Sequence, residues 1–199
     1  MIGIIDYGLG NVQAFLNVYK RLNIGAFSAS RPEQLATATK VILPGVGAFD
    51  HAMERLDQSG LRAALSERVL RDGVPLLGVC VGMQMLARSS EEGSRAGLGW
   101  IQADVKRFTA SVPLPHMGWN DVKSVVSNRL LAGLESDARF YFLHSYYVDC
   151  DRPADSLAVT EYGAAFSCVV GAANVFGVQF HPEKSHHHGT RLLQNFAEL

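Results

Sequence analysis

A buried strand and the tight turn after it decide the fold of this chain. Positions 75 to 84 read Pro75-Leu76-Leu77-Gly78-Val79-Cys80-Val81-Gly82-Met83-Gln84. The apolar residues before Cys80 predict a short strand that is buried on both faces, and the apolar spacing after it predicts a helix. A cysteine at such a corner, with a glycine two positions away on either side, occupies the nucleophile's place in a nucleophile elbow.

Cys80 is therefore the candidate nucleophile. The predicted helix points its N-terminus at the sulfur, and its dipole and free N–H groups favour the reactive thiolate. The N–H of Val81 is placed to bind an oxyanion. The same short motif also fits a buried structural cysteine packed between glycines, and the motif alone leaves that alternative open. Cys150 and Cys168 lack this context, and we interpret both as core or surface cysteines.

Short apolar runs alternate with amphipathic helices on the N-terminal side of this turn, at residues 2–6, 26–28, 41–43 and 75–79. This alternation predicts parallel strands joined by right-handed crossovers. The second half predicts strands joined by short turns at residues 104–108, 121–126, 140–148, 157–162, 166–172 and 174–180, and a helix at 188–198. These strands extend the sheet at one edge or form a small side sheet. We predict one α/β domain over residues 1–199, a three-layer open sheet that is mostly parallel with an antiparallel extension.

A candidate base follows the last predicted strand. His181 and Glu183 are two positions apart, so in an extended chain their side chains point to the same face. Glu183 can then bind one imidazole nitrogen and leave the other to face a thiol, as in nucleophile–base–orienter triads. A surface His-Pro-Glu turn is the alternative. Because active sites of open α/β sheets form at the carboxyl ends of strands, we expect this pair to meet Cys80 there.

A glycine-rich loop follows the strand at residues 41–43 and reads PGVGAF at residues 44–49. Glycine lets backbone N–H groups approach a substrate closely. We predict that the loop supplies the second oxyanion donor, from Val46 or Gly47. A simple turn before a helix explains the pattern equally well.

Composition and charge exclude several classes of function. A net charge of −1 provides no basic surface for nucleic acid. No apolar run approaches the roughly 18 residues that a membrane helix needs. Three widely spaced cysteines and an N-terminus without a secretory signal predict a cytoplasmic protein. For His186, His187 and His188 we favour a solvated helix start over a metal site, since no cysteine or carboxylate cluster joins them. We predict no cofactor.

Six motifs together resemble class-I, triad-type glutamine amidotransferases and, more narrowly, the glutaminase subunits of imidazole glycerol phosphate synthases. They are DYGLGN at residues 6–11, PGVGAF at 44–49, GVCVGMQ at 78–84, PHMGWN at 115–120, HSY at 144–146 and GVQFHPEKS at 177–185. The cysteine turn and His-Pro-Glu are shared by the whole class, whereas PHMGWN and DYGLGN point to the narrower group. The resemblance runs from about residue 2 to residue 196 and implies a flavodoxin-like class-I amidotransferase fold.

The resemblance also implies roles for individual side chains. Cys80 attacks the side-chain amide of L-glutamine to form a thioester, His181 moves the proton, and Glu183 orients His181. The positions that match glutamine-binding residues are Gln84, Tyr141, Ser145 and Tyr146. The positions that match the interface with a (β/α)8-barrel cyclase subunit, in a heterodimer, are Asn11, Trp119 and Lys184. Ammonia passes into that barrel, whose products are imidazole glycerol phosphate and an aminoimidazole carboxamide ribonucleotide.

Three alternatives stay open at this point. The chain could serve a different synthase, in vitamin B6 or nucleotide biosynthesis, although PHMGWN argues against this. It could be a cysteine peptidase or an esterase-like hydrolase on a similar fold. It could also be a binding module that has lost activity, against which the intact Cys80, His181 and Glu183 argue.

Overall fold

The structure, a computed structural model, describes residues 1–109 and 111–199. Its strands are β1 (Ile2–Ile5), β2 (Ala26–Ala29), β3 (Lys40–Gly45), β4 (Leu76–Cys80), β5 (Ser89–Ser90), β6 (Ala103–Arg107), β7 (His116–Asp121), β8 (Lys123–Ser124), β9 (Arg139–His144), β10 (Tyr146–Cys150), β11 (Ser156–Tyr162), β12 (Ala164–Ala172) and β13 (Val175–Val178). Its α-helices are α1 (Val12–Arg21), α2 (Pro32–Leu35), α3 (Phe49–Gln58), α4 (Leu61–Ser66), α5 (Val81–Gln84) and α6 (His186–Glu198). A π-helical turn continues α4 over Glu67–Arg71, and 3-10 turns lie at Arg129–Leu131, Pro153–Asp155 and Pro182–Lys184.

The large sheet is parallel in one half and mainly antiparallel in the other, where only the short edge pair β5 and β6 is parallel. Its strand order is β2-β1-β3-β4-β13-β12-β10-β6-β5, with β11 beside β12 and β8 beside β11. The strands from β2 to β13 pair in parallel, and antiparallel pairing begins between β13 and β12. Helices α1 and α6 contact each other, and α2 and α3 contact α4. These two groups cover the two faces of the sheet, so the predicted three-layer α/β fold with an antiparallel extension is confirmed.

The parallel half follows directly from its sequence. β1 and β4 are buried along their whole length, because helices cover both faces of a parallel sheet and its strands are therefore continuously apolar. Helix α1 begins after Asn11, whose side chain accepts a hydrogen bond from the N–H of Ala14 at 3.1 Å, as an N-cap does. Its buried face includes Tyr19, whose hydroxyl donates to the carbonyl of Leu193 at 3.2 Å and so connects α1 to α6.

The antiparallel half contains the boundaries that we predicted wrongly. The strand expected at residues 121–126 is instead β7, which ends at Asp121, followed by the two-residue β8. The strand expected at residues 140–148 bends at Ser145 and divides into β9 and β10. These two belong to different sheets, since β9 pairs with β7 whereas β10 joins the large sheet. Both expected arrangements therefore occur, an extended sheet edge and a small side sheet.

Three neighbouring central strands place the candidate site at the carboxyl-terminal side of the sheet. β4 lies between β3 and β13, and all three run in parallel. In this register Gly45 is paired with Cys80, and Val178 is paired with Val79. The glycine loop, the cysteine turn and the segment leading to His181 consequently leave the sheet side by side at the carboxyl ends of their strands.

Candidate active site

The turn at Cys80 has little room for other side chains. Cys80 has φ of 56° and ψ of −114°, a strained conformation of the kind that concentrates at functional sites. A Cβ on Gly82 would collide with the carbonyl oxygen of Leu43, and one on Gly78 would lie 2.6 Å from the carbonyl oxygen of Gly82. Glycine at both positions therefore lets β4 turn sharply into α5 while β3 stays in contact with the turn.

The helix that follows Cys80 is a single turn that ends before Met85 and Leu86, which the sequence pattern had included. α5 ends at Gln84, and Met85 and Leu86 already lie in a turn. The expected helix does begin directly after Cys80, but a single turn sums few peptide dipoles, so its dipole contributes little at the sulfur. The oxyanion role predicted for the N–H of Val81, at the start of this turn, stays a prediction.

The structure brings His181 and Glu183 together through a 3-10 turn. β13 ends at Val178, and residues Pro182–Lys184 are helical, so the extended chain that we expected to align the two side chains is wrong. Nδ1 of His181 lies 2.9 Å from Oε1 of Glu183. The two side chains are 5% and 3% exposed, which makes this a buried contact.

The imidazole of His181 is surrounded by groups that favour its protonated form. Burial lowers its pKa, but interactions with Cys80 and with Glu183 outweigh burial and raise the pKa to about 9. Because Glu183 binds Nδ1, Nε2 is the nitrogen left available for a proton exchange with the sulfur. A thiol, an imidazole and a carboxylate in this order can move a proton between sulfur and nitrogen.

Strand β9 holds the backbone of His181. Its N–H donates to the carbonyl of Tyr141 at 2.9 Å, and its carbonyl accepts from the hydroxyl of Ser185 at 2.6 Å. The same hydroxyl accepts from the N–H of Tyr141 at 3.0 Å. Tyr141, which the resemblance assigns to glutamine, therefore contacts the candidate base through its backbone. In the part of the chain that the structure describes, its side chain is not among those that line the pocket.

A pocket of about 300 Å³ opens above the sulfur. It contains Cys80, His181 and residues from the glycine loop, the cysteine turn and the β9–β10 bend. The lining residues are Val46, Gly47, Cys80, Val81, Gln84, Glu92, Pro115, Leu143, His144, Ser145, Tyr146, His181 and Lys184. The sequence-predicted candidates that meet here are the cysteine, the histidine, the three oxyanion candidates, three glutamine-binding candidates and one interface candidate. A volume of this size accommodates a small polar metabolite.

Two buried glutamines form the wall behind the sulfur. The Gln84 amide donates to the carbonyl of Tyr146 and to Oε1 of Gln179, each at 3.1 Å. Nε2 of Gln179 in turn lies 4.0 Å from the sulfur of Cys80. Gln179 is fully buried, and we assigned it no role from the sequence, because a glutamine near a strand end carries no chemical signature of its own.

Glu92 is a second residue that the sequence did not reveal. Its carboxylate accepts a hydrogen bond from the N–H of Phe49 at 2.8 Å, at the start of α3. Asp50 binds the N–H groups of Ser94 and Arg95, so the segment that carries Glu92 is fixed against α3. Glu92 lies in a hydrophilic loop between two short elements, where a functional carboxylate looks like any solvated one.

The glycine loop forms one rim of the pocket. Val46 is 40% exposed, and Gly47 has φ of 83°, a left-handed conformation that favours glycine. Pro44 accepts a hydrogen bond through its carbonyl from the buried hydroxyl of Tyr7 at 2.8 Å, which anchors the loop at its start. The role of Val46 and Gly47 as oxyanion donors stays a prediction.

The three interface candidates occupy different surroundings. Asn11 is exposed and acts as the N-cap of α1. Trp119 is 42% exposed, and its ring stacks on His186 with centroids 5.1 Å apart. Lys184 is exposed at the mouth of the pocket. Of the three, only Lys184 lines the pocket, while Asn11 has a structural role as the cap of α1.

Residues 1–109 and 111–199 contain no group of three or more histidine, cysteine or acidic side chains arranged to hold a metal ion. His186 and His187 are exposed at the start of α6, and His188 contacts the backbone of Arg139. Over the same residues, none of the helices has the length and apolar character needed to cross a membrane.

Comparison with known proteins identifies the family. The family model "Glutamine amidotransferase class-I" matches residues 4–199. The chain belongs to the class-I glutamine amidotransferases. Two relatives of this amidotransferase are named imidazole glycerol phosphate synthase subunit HisH, one from Bdellovibrio bacteriovorus at 59% identity and one from Leptospira interrogans at 52%, and each alignment covers 100% of both chains. A solved structure described as glutamine amidotransferase superposes with a TM-score of 0.73 at 23% identity, covering 99% of this chain and 97% of that one.

Because the chain belongs to the class-I glutamine amidotransferases, it is an enzyme of that family rather than an esterase-like hydrolase or an inactive binding module. The solved structure, at 23% identity, supports the fold and nothing finer. The geometry of the site supports the roles of individual side chains, whereas the names of the relatives point to the partner.

Proposed function

We propose that this chain is the glutaminase subunit of an imidazole glycerol phosphate synthase, and that it hydrolyses L-glutamine and passes ammonia to a separate cyclase subunit. The observation that carries the hydrolysis is the meeting of Cys80, His181 and Glu183 beside one pocket. The choice of synthase is supported by full-length relatives that carry this name at 59% and 52% identity. The cytoplasmic location expected from the sequence stays a prediction.

Glutamine binds with its side-chain amide over the sulfur and its amino-acid end toward the pocket rim. Glu92 brings a negative charge to the lining, which suits the substrate's ammonium group. Ser145 and Tyr146 line the other side, at the bend between β9 and β10, and Gln84 fixes the carbonyl of Tyr146. In this binding mode the amide carbon of glutamine lies within reach of Cys80.

The first half of the reaction makes a thioester. His181, with its pKa raised to about 9, holds the proton at neutral pH, and a protonated imidazole beside a cysteine favours the thiolate. The sulfur of Cys80 attacks the amide carbon, and the developing oxyanion accepts hydrogen bonds from the N–H of Val81 and of Val46 or Gly47. His181 then gives its proton to the leaving nitrogen, the C–N bond breaks, and ammonia departs.

The second half restores the enzyme. Water attacks the thioester carbon while His181 removes one of its protons, and the C–S bond breaks to release glutamate. The proton on His181 again balances the thiolate of Cys80. Glu183 keeps Nδ1 of His181 occupied throughout, so Nε2 handles each proton in turn.

The face around the pocket mouth fits a protein partner. Met117 and Trp119 lie two positions apart on β7, and Met117 is paired across the side sheet with Leu143. Met117 is 65% exposed, Trp119 42% and Leu143 37%. Val46, on the glycine loop, is 40% exposed. Exposed apolar side chains that cluster beside a site mark a protein interface. A partner seated there would cover the route by which ammonia leaves.

A mixing assay tests this proposal. The purified chain is combined with a cyclase barrel of an imidazole glycerol phosphate synthase, and glutamate formation is followed with and without the barrel's substrate. We expect slow glutamine hydrolysis by the chain alone, clear stimulation by the barrel, and no activity in a Cys80→Ala variant. Stimulation by a different synthase and not by this barrel would overturn the assignment of the partner. Peptide turnover without glutamine turnover would overturn the hydrolytic assignment itself.

A further inference from the structure

Two buried histidines next to the pocket take no part in the chemistry described above. His116 on β7 and His144 at the end of β9 are paired across the side sheet. Nδ1 of His116 lies 2.9 Å from Nε2 of His144, and the two residues are 3% and 7% exposed. His144 lines the glutamine pocket, whereas His116 lies one strand further away.

The hydrogen bonds around this pair are compatible with one arrangement of protons when both rings are neutral. Nδ1 of His144 lies 2.7 Å from the carbonyl of Tyr146, which can only accept, so Nδ1 carries the proton. Nε2 of His144 then accepts from Nδ1 of His116. Nε2 of His116 accepts from the amide of Asn120 at 3.3 Å, and that amide also donates to the carbonyl of Glu161 at 2.8 Å.

Burial keeps both rings neutral. It lowers the pKa of His116 to about 4 and is the main cause that lowers the pKa of His144 to about 3, against an opposing hydrogen bond to Tyr146. Aromatic rings enclose the pair. Phe142 and Tyr162 stack on the two sides of His116 with centroids 4.8 Å and 4.1 Å away. These two rings restrict the plane of the His116 imidazole and surround its side of the shared hydrogen bond with apolar groups.

The pair connects to the glutamine pocket through one carbonyl. The carbonyl of Tyr146 accepts from His144 and also from the Gln84 amide at 3.1 Å. Ser145 and Tyr146, which form the bend between β9 and β10, both line the pocket. The position of this bend is therefore set jointly by Gln84 on the side of the cysteine turn and by the histidine pair on the side of β7.

We propose that His116 and His144 are positioning residues for glutamine: their mutual hydrogen bond holds the bend at Ser145 and Tyr146 against Gln84 in the shape that binds the substrate. The inference rests on the proposed glutaminase function. Because the pair touches the bend and not the reacting atoms, its loss weakens substrate binding while the chemical step at Cys80 continues.

Asparagine and glutamine separate the two ends of the His116 ring. An asparagine amide occupies the place of Nδ1, so His116→Asn keeps a donor toward His144. A glutamine amide occupies the place of Nε2, so His116→Gln keeps the polar group near Asn120 and loses the bond to His144. His116→Leu loses both, and His51→Asn, at an exposed position on α3, is the matched control.

The test measures how fast the diazoketone analogue of glutamine labels Cys80 in the full chain at a series of analogue concentrations. Losing one buried hydrogen bond to the pocket should raise the half-saturating concentration about tenfold in His116→Gln and His116→Leu. The maximal labelling rate should stay within about threefold of the parent, because the attacking sulfur is unchanged. His116→Asn and His51→Asn should match the parent within about twofold on the same grounds.

Each outcome decides between support and refutation. Equal half-saturating concentrations in the asparagine, glutamine and leucine variants would overturn the inference, and so would a loss confined to the maximal rate. If the leucine variant does not fold, the comparison of His116→Asn with His116→Gln decides, since both keep a polar group in the core. Absence of labelling in the parent chain would overturn the proposed function, and with it the inference that depends on it.

Discussion

Three buried histidines near one pocket have pKa values shifted in opposite directions. The pKa of His181 is raised to about 9, whereas the pKa values of His116 and His144 are lowered to about 4 and 3. All three are less than 10% exposed, and burial lowers the pKa of each. The difference therefore does not come from depth in the protein.

Neighbouring groups account for the difference. His181 faces the sulfur of Cys80 and the carboxylate of Glu183, both of which favour its protonated form. His144 has another imidazole and a carbonyl as its ring partners, so little compensates the loss of hydration. The imidazole of His181 is therefore suited to proton transfer, whereas those of His116 and His144 are suited to fixed hydrogen bonds that position the backbone.

Removal of the Cys80 sulfur should have the largest effect on the difference between His181 and the other two histidines. Cys80→Ala should reduce glutamine hydrolysis by at least about 10⁴-fold, because the nucleophile is lost. It should also lower the pKa of His181, which loses its interaction with Cys80. Histidine NMR titration and a glutamate assay measure the two effects, with Cys150→Ala as the control. A pKa of His181 unchanged from the parent would contradict our account of its charge.

Neutralising the carboxylate should have the next largest effect. Glu183→Gln keeps the size of the side chain but removes the charge that favours a protonated His181, and the amide can present its N–H to Nδ1. We expect hydrolysis to fall about 10²- to 10⁴-fold, as for the orienting acid of other triads. The pKa of His181 should fall as well, while His116 and His144 stay neutral. Activity within a few-fold of the parent would show that Glu183 does not orient the base.

The two kinds of histidine should also affect stability at opposite ends of the pH range. The folded-state pKa of His116 is below the unfolded value, so its contribution to stability is full above about pH 6.5 and declines as pH falls toward 4. The contribution of His181 is full below about pH 6.5 and is lost as pH rises through 9.

Denaturant unfolding between about pH 6.5 and 5 measures the acid side of this prediction. Each neutral buried histidine adds at most about 1.4 kcal/mol per pH unit to the slope of unfolding free energy. His116→Asn should therefore flatten the slope relative to the parent, while the control His51→Asn should not. An identical slope in His116→Asn would mean that the pair is not held neutral in the folded protein.

The smallest effect is expected at a third kind of histidine. His186 is exposed and stacks on Trp119 with the ring planes 8° apart. His186→Ala should change the unfolding free energy by less than about 0.5 kcal/mol and leave labelling of Cys80 in the isolated chain unchanged. Its effect should appear in affinity for the cyclase barrel, measured by titration calorimetry. A large loss of labelling in the isolated chain would place His186 in the site itself.

The parallel half of the fold could be predicted from sequence because its signals are local. Continuous apolar runs, the Asn11 cap and the glycines around Cys80 each report on their own few residues. The antiparallel half was harder to predict. The sequence of β9 and β10 reads as one uninterrupted strand, yet the chain bends at Ser145 and the two strands join different sheets. Nothing near Ser145 marks that division, because it depends on which distant strand each segment pairs with.

The candidate site also contains some residues that the sequence indicated and others that only the structure revealed. Cys80, His181 and Glu183 have recognisable chemistry in sequence, and the structure places all three together. Gln179 and Glu92 do not, because an amide or a carboxylate becomes informative only when its neighbours are known. Gln179 lies against Cys80 although 99 positions separate them.

The sequence by itself determined the buried strands of the parallel half, the turn at Cys80, and which side chains are able to act as nucleophile, base and orienter. These properties depend on residue type and short-range spacing. Only the tertiary structure decided the strand order beyond β13, the membership of the pocket and the charge carried by each histidine. Pairing and protonation depend on groups brought within a few ångströms from distant parts of the chain, and His116 meets His144 across 28 positions to form the pair that no local pattern indicated.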